Sequence, residues 1–199
     1  MFNKYAEDTF YKGEEKMNKV ERFLTVYDIA VLRELKGKTL DYIRLNPDDP
    51  SHTVLQVVEF TFGKEKYYLY CDLEVIDFFG LTEDISYFEF TPVKFPFVDS
   101  CNLIENHVGL EVTGISEVKD TIKEYLEGKL DYEFSFTRGF IIHFGKYQMS
   151  LEKVSHFSEL IRVRKGYDLV SKFSPVENYR NEFIPNTQLE LSRDVIKIC

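Results

Sequence analysis

The sequence predicts an α+β protein that is rich in β-strand: two weakly similar antiparallel β-meander units, an N-terminal helix and one further short helix. Phe and Tyr are frequent, with 18 and 13 copies among 199 residues, and both favour the half-buried surface of a sheet. Short aromatic runs are separated by turns that contain Gly, which is typical of antiparallel meanders. The same turn pattern, Phe-Gly-Lys, occurs at 62–64 and again at 144–146.

Two segments have the periodicity of helices. Apolar residues recur every three or four positions over 17–35, and Gly37 follows as a stop signal. The β-branched residues in this stretch leave open a shorter helix over 28–36, with Asp28 as its N-cap. The second helix is predicted over 116–127, because its apolar residues fall on one helical face and a glycine follows it.

The predicted strands follow one another closely around the Gly-containing turns. In the first half they are Val54–Phe62 and Lys66–Leu73, on either side of Gly63-Lys64. In the second half three strands are separated by turns at 137–139 and 145–147; they are Tyr132–Phe136, Phe140–Phe144 and Gln148–Val154. Strands this short and this closely spaced are expected to pair with their neighbours in the chain.

The repeated pattern suggests a division of the chain into three parts. We predict an N-terminal arm and helix over 1–36, a first β-rich unit over 37–98 and a second over 99–199, with one compact domain overall as the alternative. The first 16 residues are polar, and we expect them to be a loosely held arm. Pro92 and Pro96 mark the boundary between the two units.

The acidity of the chain is confined to its middle. The net charge is −9, and residues 37–105 contribute −8 of it, with thirteen acidic against five basic residues. This balance argues against direct binding of nucleic acid phosphates. No run of 18 apolar residues predicts a membrane span. The N-terminus lacks the apolar core of a signal peptide and the three cysteines are widely spaced, so we expect a cytoplasmic protein with reduced thiols.

Motifs for catalysis are missing from the sequence. Neither a nucleophile elbow nor a phosphate-binding loop occurs, and the four histidines do not have the spacing of metal ligands. His143 falls in an alternating run, where we expect it on the solvent side of a strand. We therefore predict no catalytic residues, no metal and no cofactor, and we favour a protein that is not an enzyme.

One segment combines acids with aromatic rings. Between Lys66 and Lys94 the chain has six acidic and no basic residues, and two prolines then interrupt an apolar stretch. We expect the carboxylates to converge on one exposed face beside uncovered rings. The predicted partner-binding residues are Asp72, Glu74, Asp77, Glu83, Asp84, Phe88, Glu89, Phe95 and Phe97.

Such a face suits a non-catalytic binding protein. An acidic field steers a basic partner to the surface, and aromatic side chains then supply desolvated contact area. The hypothesis is an inhibitor of the immunity or anti-defence type, whose partner is a basic toxin, nuclease or defence enzyme. Two alternatives remain: an enzyme whose site gathers distant carboxylates with His143 or His156, and a β protein that holds a small ligand in an aromatic-lined cavity.

Overall fold

A computed structural model describes residues 18–47, 53–183 and 187–199. The predicted arm over 1–16 lies outside these residues. The described residues form one α-helix, α1 (Val26–Glu34), and eleven strands. The strands are β1 (Asn18–Arg22), β2 (Thr39–Pro47), β3 (Thr53–Phe62), β4 (Glu65–Phe78), β5 (Leu81–Thr91), β6 (Ile104–Glu111), β7 (Gly114–Leu126), β8 (Lys129–Phe144), β9 (Tyr147–Lys153), β10 (Leu160–Gly166) and β11 (Gln188–Lys197).

The strands form two antiparallel arrays with the same internal order. The first runs β6-β2-β3-β4-β5 and the second runs β11-β7-β8-β9-β10, so each is a four-stranded meander whose fifth strand returns to pair with the first. This confirms the predicted β-rich fold with two similar meanders. β6, which the predicted division at 98/99 assigns to the second unit, pairs with β2 of the first array.

The two predicted Phe-Gly-Lys turns are equivalent in the structure. Gly63 lies between the second and third strands of the first array, and Gly145 lies between the second and third strands of the second. Both glycines have positive φ, 61° and 65°, a conformation that costs other residues free energy. The connection after the fourth strand also repeats, because each passes through 3-10 turns: Pro96–Ser100 in the first array, and Leu169–Lys172 and Val176–Glu182 in the second.

The N-terminal helix α1 is shorter than the segment 17–35 over which apolar residues have helical spacing. Thr25 caps α1, and its hydroxyl accepts a hydrogen bond from the backbone N–H of Asp28 at 3.1 Å. Asp28 is therefore the third helical residue and not the cap. Residues 18–22 instead form β1, which pairs parallel with β8. The prediction failed there because tertiary strand pairing outweighs a weak helical periodicity.

The second predicted helix, over 116–127, is wrong: these residues belong to β7, apart from Glu127 in the turn that follows. Val118 and Ile122 are four residues apart, a spacing that fits a helix and an alternating strand equally well. β7 pairs with β8 on one side and with β11 on the other, so its backbone hydrogen bonds are satisfied within the sheet. Within the described residues, the short helical segments other than α1 are the 3-10 turns.

The predicted turn at 137–139 is also wrong, because β8 continues through it. The register of β8 against β7 shifts here, from Val118 opposite Gly139 to Lys119 opposite Thr137. Arg138 is thus the extra residue of a β-bulge. A Cβ on Gly139 would lie 2.2 Å from the Leu151 carbonyl oxygen. The glycine therefore marks close backbone packing.

The main hydrophobic core joins the two arrays. It contains Leu32 of α1, Phe60 and Leu69 of the first array, and Phe140 and Leu151 of the second. A second buried cluster surrounds the ends of β4 and β5, where Phe78 contacts Phe134 of β8. The tip of the β4–β5 hairpin is therefore held against the second array.

A buried ionic cluster lies on the face of β9 opposite to Leu151. The Glu152 carboxylate accepts hydrogen bonds from Arg138 Nη2 at 3.2 Å, from Arg164 Nη1 at 2.5 Å and from the Ser174 N–H at 2.8 Å. Arg162 Nη1 lies 3.7 Å from the same carboxylate. Burial alone would raise the pKa of Glu152, but Arg138 and Arg164 hold it below its ordinary value. We call these five residues the Glu152 cluster.

Among the described residues, no helix is both long enough and apolar enough to cross a bilayer.

Candidate functional site

The candidate site lies where β3 changes its neighbour. Through residues 53–55, β3 pairs with β10, and through residues 57–62 it pairs with β4 on the same edge. Gln56 stands between the two pairings with a left-handed backbone, φ 56°. Positive φ is uncommon outside glycine and costs free energy. The strained residue marks the point at which β4 and β10 diverge.

A pocket of about 230 Å³ opens at this fork. Its wall combines residues of β3, β4 and β5 with the connection that follows β5 and with Glu159, the residue before β10. We call it the acidic aromatic pocket; it is lined by Gln56, Tyr70, Cys71, Asp72, Glu89, Phe95, Phe97 and Glu159. Three carboxylates and three aromatic rings thus face one small volume.

The aromatic wall is rigid. Tyr70 donates a hydrogen bond through its hydroxyl to the Val93 carbonyl at 3.2 Å and accepts one from the Phe95 N–H at 2.9 Å. Its ring stacks on Phe95 with centroids 4.4 Å apart and meets Phe97 edge-on at 5.6 Å. Phe97 remains 39% exposed. The rings are held in place before any ligand arrives, which lowers the entropy cost of binding.

The carboxylates of the pocket repel one another. Burial raises the pKa of Glu89, and the neighbouring Asp28 and Asp72 raise it further. Within the described residues, no lysine or arginine forms an ion pair with Asp72, Glu89 or Glu159, whereas nearby Glu74 pairs with Arg22 at 2.8 Å. Glu159 is oriented by Gln56, whose Nε2 donates to its Oε1 at 2.6 Å. The pocket therefore carries negative charge that no described cation neutralises.

The pocket does not contain an activated nucleophile. Cys71 lies at its base, where burial raises the pKa of the thiol to about 12. A thiol is reactive only as the thiolate, so Cys71 is not a nucleophile at neutral pH. What the arrangement can do is bind a cation, because carboxylates attract the charge and ring faces attract it through the π quadrupole.

Four of the nine predicted partner-binding residues line the pocket: Asp72, Glu89, Phe95 and Phe97. The other four acids lie nearer the tip of the β4–β5 hairpin. By register, Glu74 and Glu83 share the hairpin face of Asp72 and Glu89, whereas Asp77 and Asp84 lie on the opposite face. The expectation of one common face for all six carboxylates is therefore wrong for Asp77 and Asp84.

Phe88 is the ninth predicted residue, and its place in the candidate set is corrected. It is only 4% exposed and packs in the main core, edge-on to Phe140 at 6.0 Å. Strand alternation explains this placement, since Phe88 points away from its neighbour Glu89. It cannot contact a partner while the core is intact.

Four residues of the pocket were absent from the predicted set: Gln56, Tyr70, Cys71 and Glu159. Tyr70 could have been found, because it lies directly opposite Glu89 once β4 and β5 are paired. Gln56 and Glu159 could not have been found, since they are 103 residues apart and only the pairing of β3 with β10 brings them together. No local pattern in the sequence contains that information.

Neither His143 nor His156, the two histidines of the enzyme hypothesis, lines the acidic aromatic pocket. His143 lies 3.0 Å from Ser116 Oγ and 3.3 Å from Gln148 Nε2. His156 is buried beside Phe78, Phe136 and other rings, and burial lowers its pKa to about 3. Across the part of the chain that the structure describes, no group of three or more His, Cys, Asp and Glu side chains is placed to hold a metal ion.

Comparison with known proteins found no family model that matches this chain, and neither a curated protein nor a solved structure that is similar to it.

Proposed function

We propose that this chain is a non-catalytic binding protein that takes a lysine or arginine side chain of a basic partner protein into the acidic aromatic pocket. One observation carries the proposal: three carboxylates without a described cationic partner converge with three rings on one cavity. The pocket also lies in the part of the chain that carries nearly all of the net negative charge.

The physical mechanism has two steps. The acidic field of the first array attracts a positively charged surface over a range of about 10 Å at moderate ionic strength. The cation then enters the pocket, where Asp72, Glu89 and Glu159 neutralise it and the rings contact its aliphatic part. Contact with rigid rings excludes water from the ion pairs, which strengthens them.

The partner fits an inhibitory role. A basic toxin, nuclease or defence enzyme presents lysines and arginines around the site that binds its own anionic substrate. A protein that holds one of these side chains in a pocket would cover that site. The pocket volume of about 230 Å³ suits one such side chain. We place the protein in the cytoplasm as part of the same proposal.

The test removes the pocket charges without changing side-chain size. The triple variant Asp72→Asn, Glu89→Gln, Glu159→Gln and wild-type protein are immobilised, and both are exposed to native-host extract at low salt. The matched control is Glu111→Gln, Glu127→Gln, Glu177→Gln, which removes the same charge from exposed sites elsewhere. Glu111 lies on β6, four strands or about 19 Å from β5.

We expect the wild type and the control to retain one basic protein and the pocket variant to lose it. Each charge-assisted contact contributes roughly 1.5–3 kcal/mol, so even one lost contact weakens binding about tenfold or more. Equal capture by the pocket variant and the control would contradict the proposal. If both lose the partner, only overall charge matters; if both retain it, the pocket carboxylates do not contribute to binding.

A further inference from the structure

A second cavity, of about 590 Å³, lies between the two arrays. The acidic aromatic pocket lies where β5 leads into its connection, and this cavity lies where β10 leads into the connection toward β11. Its other wall is formed by Leu45 of β2 and Asn106 of β6. The volume is typical of sites for small organic molecules.

This cavity is positively charged, whereas the protein as a whole is negatively charged. Arg164, Lys165 and Lys172 line it, and no carboxylate of the described residues does. Asp168 belongs to the same connection, but it is not part of the lining. We call this volume the basic cavity. Three cations around one cavity are unexpected in a chain whose net charge is −9.

The positive charge of the cavity is only partly neutralised by neighbouring acids. Arg164 donates from Nη1 to Glu152, but the Glu152 carboxylate is shared with Arg138 and Arg162, so three guanidinium groups surround one acid. Neither Lys165 nor Lys172 has an ion pair within the described chain. Partial burial lowers the pKa of Lys165.

The remaining lining suits a flat organic group. The Tyr167 side chain is 67% exposed, and its ring is held edge-on by Tyr147 with centroids 5.6 Å apart. Leu169 is fixed below it, because its backbone N–H donates to Gln148 Oε1 at 2.8 Å. An exposed ring beside cations offers stacking to a planar group whose charged end reaches the lysines.

We propose that the basic cavity binds a small organic phosphate, with the phosphate group at Arg164, Lys165 and Lys172 and a planar group on Tyr167. The fork of the arginine and the point charges of the lysines both match phosphate oxygens. This inference is independent of the proposed function, since it concerns a different cavity and a ligand of opposite charge.

The test is calorimetric titration of the full chain with three probes: adenosine monophosphate, inorganic phosphate and adenosine. We expect adenosine monophosphate to bind best, inorganic phosphate to bind more weakly and adenosine to show no binding. Added salt should weaken the binding of both anions, because exposed charges are screened. Adenosine binding as tightly as its monophosphate would overturn the proposal, as would no heat from any probe at millimolar concentration.

Variants locate the site. Lys165→Gln with Lys172→Gln should lower the affinity for adenosine monophosphate roughly tenfold or more. The matched control is Lys64→Gln with Lys129→Gln, which has the same net charge and changes exposed lysines in the β3–β4 turn and at the start of β8. Arg164 is left in place because it also holds Glu152. Equal losses in the two double variants would refute the location.

The ring is tested separately. Tyr167→Ala should lower the affinity for adenosine monophosphate and leave the affinity for inorganic phosphate unchanged, since only adenosine monophosphate has a planar group. Tyr167 is largely exposed, so the variant should fold. An unchanged affinity for adenosine monophosphate would contradict the placement of the planar group on Tyr167.

Discussion

Removal of one buried carboxylate should reveal how strongly the Glu152 cluster depends on charge. Glu152 is fully buried, and its partner Arg138 is 3% exposed. In Glu152→Gln, Arg138 keeps a bond to the Val154 carbonyl at 3.1 Å but loses its counterion. Leaving a buried charge without its counterion costs about 3–5 kcal/mol. For a chain of this length, that loss lowers Tm by roughly 6–20 °C.

Glu59→Gln is the matched control. The Glu59 carboxylate is 1% exposed and pairs with Arg44 at 3.1 Å and with Lys66 at 2.7 Å. These partners are 34% and 48% exposed, so their charges return to water when the carboxylate is lost. We therefore expect Glu59→Gln to cost only about 1 kcal/mol.

The assay is urea unfolding of both variants at pH 7, followed by far-UV circular dichroism. A Glu152→Gln loss no larger than the Glu59→Gln loss would refute the reasoning, since it would show that partner burial does not set the cost. The pKa of Glu152 is lowered in the folded state. Its contribution is therefore present above the ordinary pKa and is lost as pH falls through the folded value. Wild type should converge on the variant in acid.

Three further predictions concern buried positions. Burial lowers the pKa of His156 to about 3, so between pH 7 and 5 the unfolded state takes up a proton that the folded state does not. The free energy of unfolding of the wild type should therefore fall by about 2 kcal/mol over this range. Urea unfolding of His156→Gln should show a smaller fall. The pKa of Lys153 is lowered by burial to about 8, so Lys153→Met should raise the unfolding free energy at pH 7 by roughly 1–2 kcal/mol; a decrease would contradict this. Gly139→Ala should lower the free energy of unfolding by roughly 2–3 kcal/mol, because the new Cβ would lie 2.9 Å from Phe173 Cε1 and 2.2 Å from the Leu151 carbonyl oxygen. A thermal melt unchanged from that of the wild type would refute the clash.

The sequence could predict local features of the fold, including a short helix close to α1, but not the strand β7 or the bulge in β8. Gly63 and Gly145 require positive φ, and each marks the turn that the pattern predicts. Residues 116–127 were misread, because apolar residues four apart fit a helix and a strand equally. The continuous course of β8 through Arg138 could not be inferred either, since a bulge has no sequence signal as clear as that of a turn.

Part of the candidate site could be predicted from the sequence. Asp72 and Glu89 lie on strands that are adjacent in the chain, so the hairpin alone places them near each other. Phe88 was misplaced because the composition of a segment does not fix which face of a strand each residue occupies. The basic cavity was not predicted at all, since Lys165 and Lys172 belong to β10 and the turn after it, whereas Leu45 and Asn106 come from the first array.

The most direct test of the central claim is an NMR titration of the chain with Nα-acetyl-lysine methylamide, which presents one lysine side chain without a partner protein. We predict saturable shifts in Tyr70, Phe95 and Phe97, and their loss in the variant Asp72→Asn, Glu89→Gln, Glu159→Gln. Shifts scattered over all exposed acids, or the same shifts in that variant, would contradict the claim that the pocket binds a cation.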